Sequence, residues 1–165
     1  MKRIFLFIAA ITLCTTVWSQ DVLTVVYATS DDGFLNVRER PSTKSKILTK
    51  LWMLNHGLGR GVLRGQSGNW SKVSVGDTYG WAYTKYIGYQ NWFENKGAPK
   101  LVAASEPTII YTENYADADE GLPVFTKVSK GTILADQFEE DEEYYMLTTA
   151  HDYLFIKKKD AVIVK

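Results

Sequence analysis

Cysteine and histidine are the scarcest residues with reactive side chains in this chain. Its single cysteine, Cys14, lies in an apolar N-terminal segment that we predict to be removed, which would leave the mature protein without a thiol. A chain of this kind has no disulfide, no thiolate metal ligand and no cysteine nucleophile. Only two histidines, His56 and His151, remain for metal binding or general base catalysis.

Long hydrophobic runs are also absent, apart from the N-terminus. A short basic region at residues 1–3 precedes an apolar run at 4–13, and residues 17–19 precede a cleavage position near Gln20. This order is typical of a secretory signal peptide, and the apolar run is too short to span a bilayer. We therefore predict a signal peptide at 1–19, an exported protein in the periplasm or outside the cell, and no membrane span in the mature chain.

No extended helical pattern occurs, whereas short alternating apolar runs separated by turn residues recur. Apolar residues make up 45% of the chain and aromatic residues 13%, which excludes a disordered protein. Strands are predicted at 34–38, 47–51, 70–75 and 80–83, closely spaced and joined by short turns. The pattern predicts an all-β protein made of small barrels or sandwiches.

The charges are balanced overall but unevenly distributed. The net charge is zero, yet residues 21–90 contain nine Lys or Arg against five Asp or Glu, while residues 91–165 contain eight against fourteen. The two halves therefore face different surroundings or each other. We expect no nucleic-acid partner for a chain with this balance.

The first half resembles a known family in several short motifs. These are Leu-Asn-Val-Arg at 35–38 followed by Pro41, Ser-Gly-Asn-Trp-Ser-Lys-Val at 67–73, Gly-Trp at 80–81 and Tyr-Ile at 86–87. Their order and spacing resemble the bacterial SH3 domain. The resemblance covers about residues 22–90 and implies a small β-barrel that serves as a recognition module, often for cell-wall peptides. Three glycines at 57, 59 and 61 depart from the family pattern and leave the register of the third strand open.

The second half looks like a degenerate copy of the first. A constant shift of 74 positions matches three aromatic or apolar anchors, pairing Trp70 with Tyr144, Val73 with Leu147 and Trp81 with Phe155. Two further echoes relate 23–27 to 108–111 and 47–51 to 132–136. We predict two tandem SH3-like barrels, at 21–90 and 106–165, joined by a linker at 91–105 that is rich in small residues.

The polar clusters in the sequence are predicted to have structural roles and not catalytic ones. His151 and Asp152 are predicted to be turn residues, because no serine or cysteine nucleophile accompanies them. The acidic run at 139–143 is predicted to be a solvated hairpin tip, and the segment 117–121 lacks a distal glutamate for a calcium loop. We therefore predict no enzyme activity, no cofactor and no metal site.

The aromatic residues give the sharpest prediction of a site. Trp81 and Tyr83 share a strand face, so we expect them to border a ligand groove with Tyr27, while Asn36 and Arg38 lie near one end to take carboxylate or backbone groups. Trp70 is read either as part of the core or as part of the groove. Arg38 could equally hold a loop of its own barrel.

These residues and the family resemblance together suggest a non-catalytic binding module. Its expected ligand is a cell-wall (peptidoglycan) peptide or an extended protein segment. The alternative is a protein-partner role, such as an inhibitor, an immunity factor or an envelope assembly subunit, in which the acidic second half docks a basic partner.

Overall fold

In a computed structural model of the chain, the described residues are 21–54, 59–93, 97–113, 121–149 and 152–165. Within these ranges the chain forms fifteen strands and no α-helix, so the prediction of an all-β protein is confirmed. No helix in the described ranges has the length and apolar character needed to cross a membrane. The predicted signal peptide lies outside the described residues.

The first half forms one antiparallel sheet of seven strands in the order β3-β2-β6-β5-β4-β1-β7. The strands are β1 (Val25–Ala28), β2 (Phe34–Arg38), β3 (Ile47–Trp52), β4 (Gly61–Ser67), β5 (Trp70–Val75), β6 (Thr78–Tyr83) and β7 (Ile87–Gln90). Strands β1 and β3 contact each other although four strands separate them in the sheet, which shows that the sheet curls. The curled sheet encloses a small core of Val26, Val37, Leu51, Val73, Ala82 and Ile87.

The second half contains eight strands in two sheets. They are β8 (Lys100–Ala103), β9 (Thr108–Thr112), β10 (Val124–Val128), β11 (Ile133–Ala135), β12 (Glu139–Glu140), β13 (Tyr144–Thr148), β14 (Tyr153–Lys157) and β15 (Ala161–Val164). One sheet has the order β10-β9-β14-β13-β12 and the other the order β11-β8-β15. When the second of these orders is written after the first, the result matches the strand order of the seven-stranded sheet. The one difference is that the two short strands β12 and β11 take the place of β4.

The register of one hairpin in each half agrees with the shift of 74. In the β5–β6 hairpin Trp70 pairs with Tyr83 and Lys72 with Trp81, whereas in the β13–β14 hairpin Tyr144 pairs with Lys157 and Met146 with Phe155. All five pairs of the second hairpin equal pairs of the first after a shift of 74. The same shift relates the short 3₁₀ turns that follow, Thr84–Tyr86 and Lys158–Asp160. The description of each half as an SH3-like barrel stays a prediction.

Two other predicted matches between the halves are wrong, because the strand pairing shows that these segments correspond to other strands. Strand β9 at 108–112 pairs with β14 as β2 pairs with β6, so it corresponds to β2 and not to 23–27. Strand β10 corresponds to β3, and even repeats its bulge, whereas 132–136 contains β11, which corresponds to part of β4. Short apolar runs resemble one another locally, and only their pairing partners distinguish them.

The predicted linker at 91–105 contains ordered parts of the fold. Strand β8 lies in the centre of the three-stranded sheet with Leu101 buried, and it occupies the position of β1 in the repeat. Trp92 is also buried, and its indole Nε1 donates a hydrogen bond to the carbonyl oxygen of Thr148 at 2.6 Å. Gly97 and Pro99 made this range resemble a connection, although Trp92, Leu101 and Ala103 within it are buried. The division into two domains stays a prediction.

The two halves share a hydrophobic core. The larger core cluster combines second-half residues with Leu23, Val25 and Val62 of the first half. The N-terminal segment also pairs with β11, since Leu23 N–H donates to the Ile133 carbonyl and Ile133 N–H to the Asp21 carbonyl, both at 2.8 Å. The second half is therefore completed by residues from the beginning of the chain.

A buried ion pair joins the halves. The Arg60 guanidinium Nη2 lies 2.6 Å from Asp152 Oδ2, and the two side chains are 0% and 3% exposed. The hydroxyls of Thr149 and Thr112 donate to the same carboxylate. Asp152 does lie at the turn between β13 and β14, as predicted, but it is buried and paired. Its neighbour His151 lies outside the described residues.

Arg64 makes a second link between the halves. Its Nη2 donates to Thr126 Oγ1 at 2.8 Å and to the Lys127 carbonyl at 2.9 Å, and its Nε donates to Ser74 Oγ. Burial lowers the pKa of this guanidinium from its ordinary value. The basic first half thus faces the acidic second half at these contacts, one of the two arrangements that the charge distribution allowed.

Candidate functional site

An open groove of about 290 Å³ lies on the first half, bordered by β2, β5, β6 and the Thr84–Tyr86 turn. We call it the aromatic groove, and its lining residues are Leu35, Asn36, Arg38, Thr43, Trp70, Tyr83 and Tyr86. The three aromatic residues among them, Trp70, Tyr83 and Tyr86, belong to neither of the two core clusters. These side chains are therefore placed where a ligand can contact them.

The rings of the aromatic groove form a continuous row. Trp70 and Tyr83 meet edge to face with their centroids 5.4 Å apart and their planes at 75°, and Tyr83 and Tyr86 follow at 6.1 Å and 44°. The first contact follows from strand register, since Trp70 and Tyr83 are directly opposite in the β5–β6 ladder. Such a row offers apolar area with polar hydroxyl tips at its edge.

Two features of strand β6 place this row beside β2: its side chains alternate between the inner and the outer face, and it contains Gly80. Gly80 and Ala82 face inward and are buried, whereas Trp81 and Tyr83 alternate with them on the outer face. A Cβ at position 80 would lie 2.7 Å from the carbonyl oxygen of Arg38. Because only glycine permits this approach, β2 can pack against β6 and bring Asn36 and Arg38 to the groove.

Arg38 has two roles in the structure. Its Nη1 donates a hydrogen bond of 2.7 Å to the Ser45 carbonyl, which ties down the β2–β3 loop. The side chain also lines the groove, and no carboxylate of the described residues lies within ion-pair distance of it. A guanidinium has five N–H donors, so one loop contact leaves donors for a ligand.

Three of the five predicted site residues come together in the groove: Asn36, Arg38 and Tyr83. Tyr27 does not line it, because its ring covers Gly88 on the neighbouring strand β7, where an added Cβ would come within 2.3 Å of the ring. Trp81 lies opposite Arg38 in the β2–β6 pairing but is also outside the lining.

Sequence reasoning gave Tyr86 no place in the groove and left Trp70 undecided between core and groove. The register of the β5–β6 hairpin places Trp70 in the groove with Tyr83, because residues directly opposite in an antiparallel ladder share a face. Tyr86 follows Tyr83 by one 3₁₀ turn, a local geometry in which residues three apart are aligned.

A larger cavity of about 500 Å³ lies in the second half, lined by Trp92, Pro99, Asp136, Gln137, Phe138, Glu139 and Thr148. It mixes apolar walls with two carboxylates and has no ring row comparable to that of the aromatic groove. The described residues contain no group of three or more side chains that could hold a metal ion. The segment 117–120, considered above for calcium, lies outside the described residues.

Comparison with known proteins adds no relative. No family model matches the chain, and a search of curated proteins finds no match. The resemblance to bacterial SH3 domains therefore rests on the residues named above and stays a prediction.

Proposed function

We propose that this protein is an exported, non-catalytic binding protein whose aromatic groove holds an extended peptide, with cell-wall (peptidoglycan) peptide as the favoured class. The observation that carries the proposal is the row Trp70, Tyr83 and Tyr86 beside the guanidinium of Arg38. The motifs that resemble the bacterial SH3 domain support the choice of ligand class.

The dimensions and chemistry of the groove favour a short peptide segment. A volume of about 290 Å³ is at or below the lower limit of pockets that enclose a whole small molecule, roughly 300 to 1,000 Å³. Part of a longer chain can lie across such an open groove. The rings then contact side chains or peptide planes, Asn36 pairs with backbone groups, and Arg38 takes a carboxylate.

The rings should supply most of the affinity. A well-buried aromatic contact contributes on the order of 1 to 3 kcal/mol, so Tyr83→Ala should weaken binding by at least about tenfold. Tyr79→Ala is the matched control, since Tyr79 lies on the same strand and face, is 54% exposed, and is outside the groove.

Binding is measured by pull-down on purified peptidoglycan and by calorimetry with soluble muropeptides released from it. We expect Tyr83→Ala to weaken binding at the aromatic groove at least about tenfold and Tyr79→Ala to leave it unchanged, with both variants folded by circular dichroism. Equal binding by the two variants, or absence of binding by the unmodified protein, would refute the proposal.

A protein-partner role is the second candidate, and one observation favours it. All five acidic residues at 139–143 are exposed, and the only cation within ion-pair distance of them in the described ranges is Lys158, 2.9 Å from Glu140. Such a surface suits a basic partner. Capture of one stoichiometric protein from periplasmic extract, abolished by 0.5 M salt and indifferent to Tyr83→Ala, would select this role instead.

A further inference from the structure

The second half has an aromatic platform at the position that corresponds to the outer face of β2, β5 and β6. Strand pairing fixes the correspondence, because β9, β14 and β13 pair with one another as β2, β6 and β5 do. We call it the second platform and define it by Tyr111, Tyr144, Phe155 and Lys157. All four side chains are partly exposed.

The second platform has the same chemical content as the four equivalent positions of the first half, with its charge at a different corner. Four equivalent positions carry Arg38, Trp81, Tyr83 and Trp70 in the first half and Tyr111, Phe155, Lys157 and Tyr144 in the second. Each set contains three rings and one cation. The core does not require this content, since these positions face away from it and only the alternating inward residues pack inside.

The second half also has a row of rings, although at positions that differ from those of the aromatic groove. Tyr144 and Phe155 meet edge to face at 5.9 Å and 82°, and Tyr153 and Phe155 follow at 6.2 Å and 46°. The two ring contacts of the aromatic groove have similar angles, 75° and 44°, but they join residues at other positions. The second half therefore presents a row of three rings of the same kind on its outer face.

Lys157 gives this row a positive charge that the described residues do not neutralise. Its Nζ lies 5.5 Å from the centroid of the Tyr111 ring, and no carboxylate of the described chain is within ion-pair distance. The adjacent Lys158 differs, because it pairs with Glu140 at 2.9 Å. An ammonium beside aromatic rings complements a ligand that combines a carboxylate with apolar groups.

We propose that the second platform binds a second extended peptide of the class that the aromatic groove takes, with its carboxylate on Lys157. The inference rests on the proposed function and adds that one molecule engages two peptides. Because the halves share a core, the two sites are held on one body, and a polymer that displays many peptides would gain avidity of about 10²- to 10⁴-fold over one site.

The test is the stoichiometry of binding, measured by calorimetry with soluble muropeptides. We expect two peptides per protein molecule, and one after Tyr144→Ala or after Tyr83→Ala. Lys157→Gln changes no ring, so it keeps the test valid if Tyr144→Ala does not fold, and it should weaken the second site at least tenfold. Lys159→Gln is the matched control, since Lys159 is exposed on the following turn and outside the platform.

The outcomes separate the two proposals. One peptide per molecule, lost in Tyr83→Ala and unaffected by Lys157→Gln, would overturn the second site and leave the first. No binding by the unmodified protein would overturn both. An equal effect of Lys157→Gln and Lys159→Gln would show general charge attraction and would also overturn the second site.

Discussion

Removal of the Asp152 carboxylate should strongly destabilise the protein. Asp152→Ala leaves the Arg60 guanidinium buried without the carboxylate that lies 2.6 Å away, at a position where the arginine side chain is 0% exposed. It also removes the acceptor of the Thr149 hydroxyl. A buried charge that loses its ion-pair partner is costly, because burial removes the water that would otherwise solvate it.

Breaking a buried ion pair costs about 3 to 5 kcal/mol of unfolding free energy. For a chain of this size each kcal/mol shifts the melting temperature by roughly 2 to 4 °C, so Asp152→Ala should lower it by about 6 to 20 °C. Lys127→Ala is the matched control, since Lys127 and Asp77 also pair across the halves, at 3.6 Å, but their side chains are 49% and 93% exposed. That variant should lose no more than about 1 kcal/mol.

The measurement is urea unfolding followed by circular dichroism and by tryptophan fluorescence. The double variant Arg60→Leu with Asp152→Leu should recover part of the loss, because it removes both charges and leaves neither orphaned. If Asp152→Ala cost no more than Lys127→Ala, the pair would be hydrated in solution, and the reasoning from burial would be refuted.

Three other variants or titrations test separate features of the fold. Gly80→Ala should cost about 1 to 3 kcal/mol and weaken peptide binding, since its Cβ would press on the Arg38 carbonyl at 2.7 Å; unchanged urea stability would contradict this. Trp92→Phe removes the 2.6 Å hydrogen bond to Thr148 and should cost about 1 to 2 kcal/mol, measured by the same unfolding, and no loss would show that water replaces the donor. The backbone N–H groups of Tyr144 and Glu143 donate to the Asp141 carboxylate and lower its pKa from 3.8. The stability that the ionised carboxylate gives the fold is therefore complete above pH 3.8 and is lost as the pH falls through the lower pKa of the folded protein. An NMR titration midpoint at or above 3.8 would refute this.

Much of the β5–β6 region could be predicted from the sequence, because its signals are local. The alternation of Gly80, Trp81, Ala82 and Tyr83 defines one inward and one outward face, which is why Trp81 and Tyr83 could be predicted to share a face. The shift of 74 carried the same register into the second half. Patterns of this type depend only on neighbouring residues.

Other features depend on partners that are distant in sequence. Strand β8 has only four residues, and its neighbours in the sheet are β11 and β15, which begin more than thirty residues later. The ring of Tyr27 covers Gly88 on β7, more than sixty residues later in the chain. The partner of Arg60 could not be inferred either, since a charged residue next to a glycine-rich segment is expected in solvent.

The pairing of the N-terminal segment with β11 has a consequence for the order of folding. Leu23 reaches its partner Ile133 only after more than a hundred further residues have been synthesised. Contacts this distant in sequence close slowly, because the entropy of a long loop must be lost before any packing is gained. Until then Leu23 and Val25 lack the second-half residues that bury them, and the nascent chain exposes apolar side chains that can associate with other chains. A chain that ended after Gln90 would remain in that state permanently.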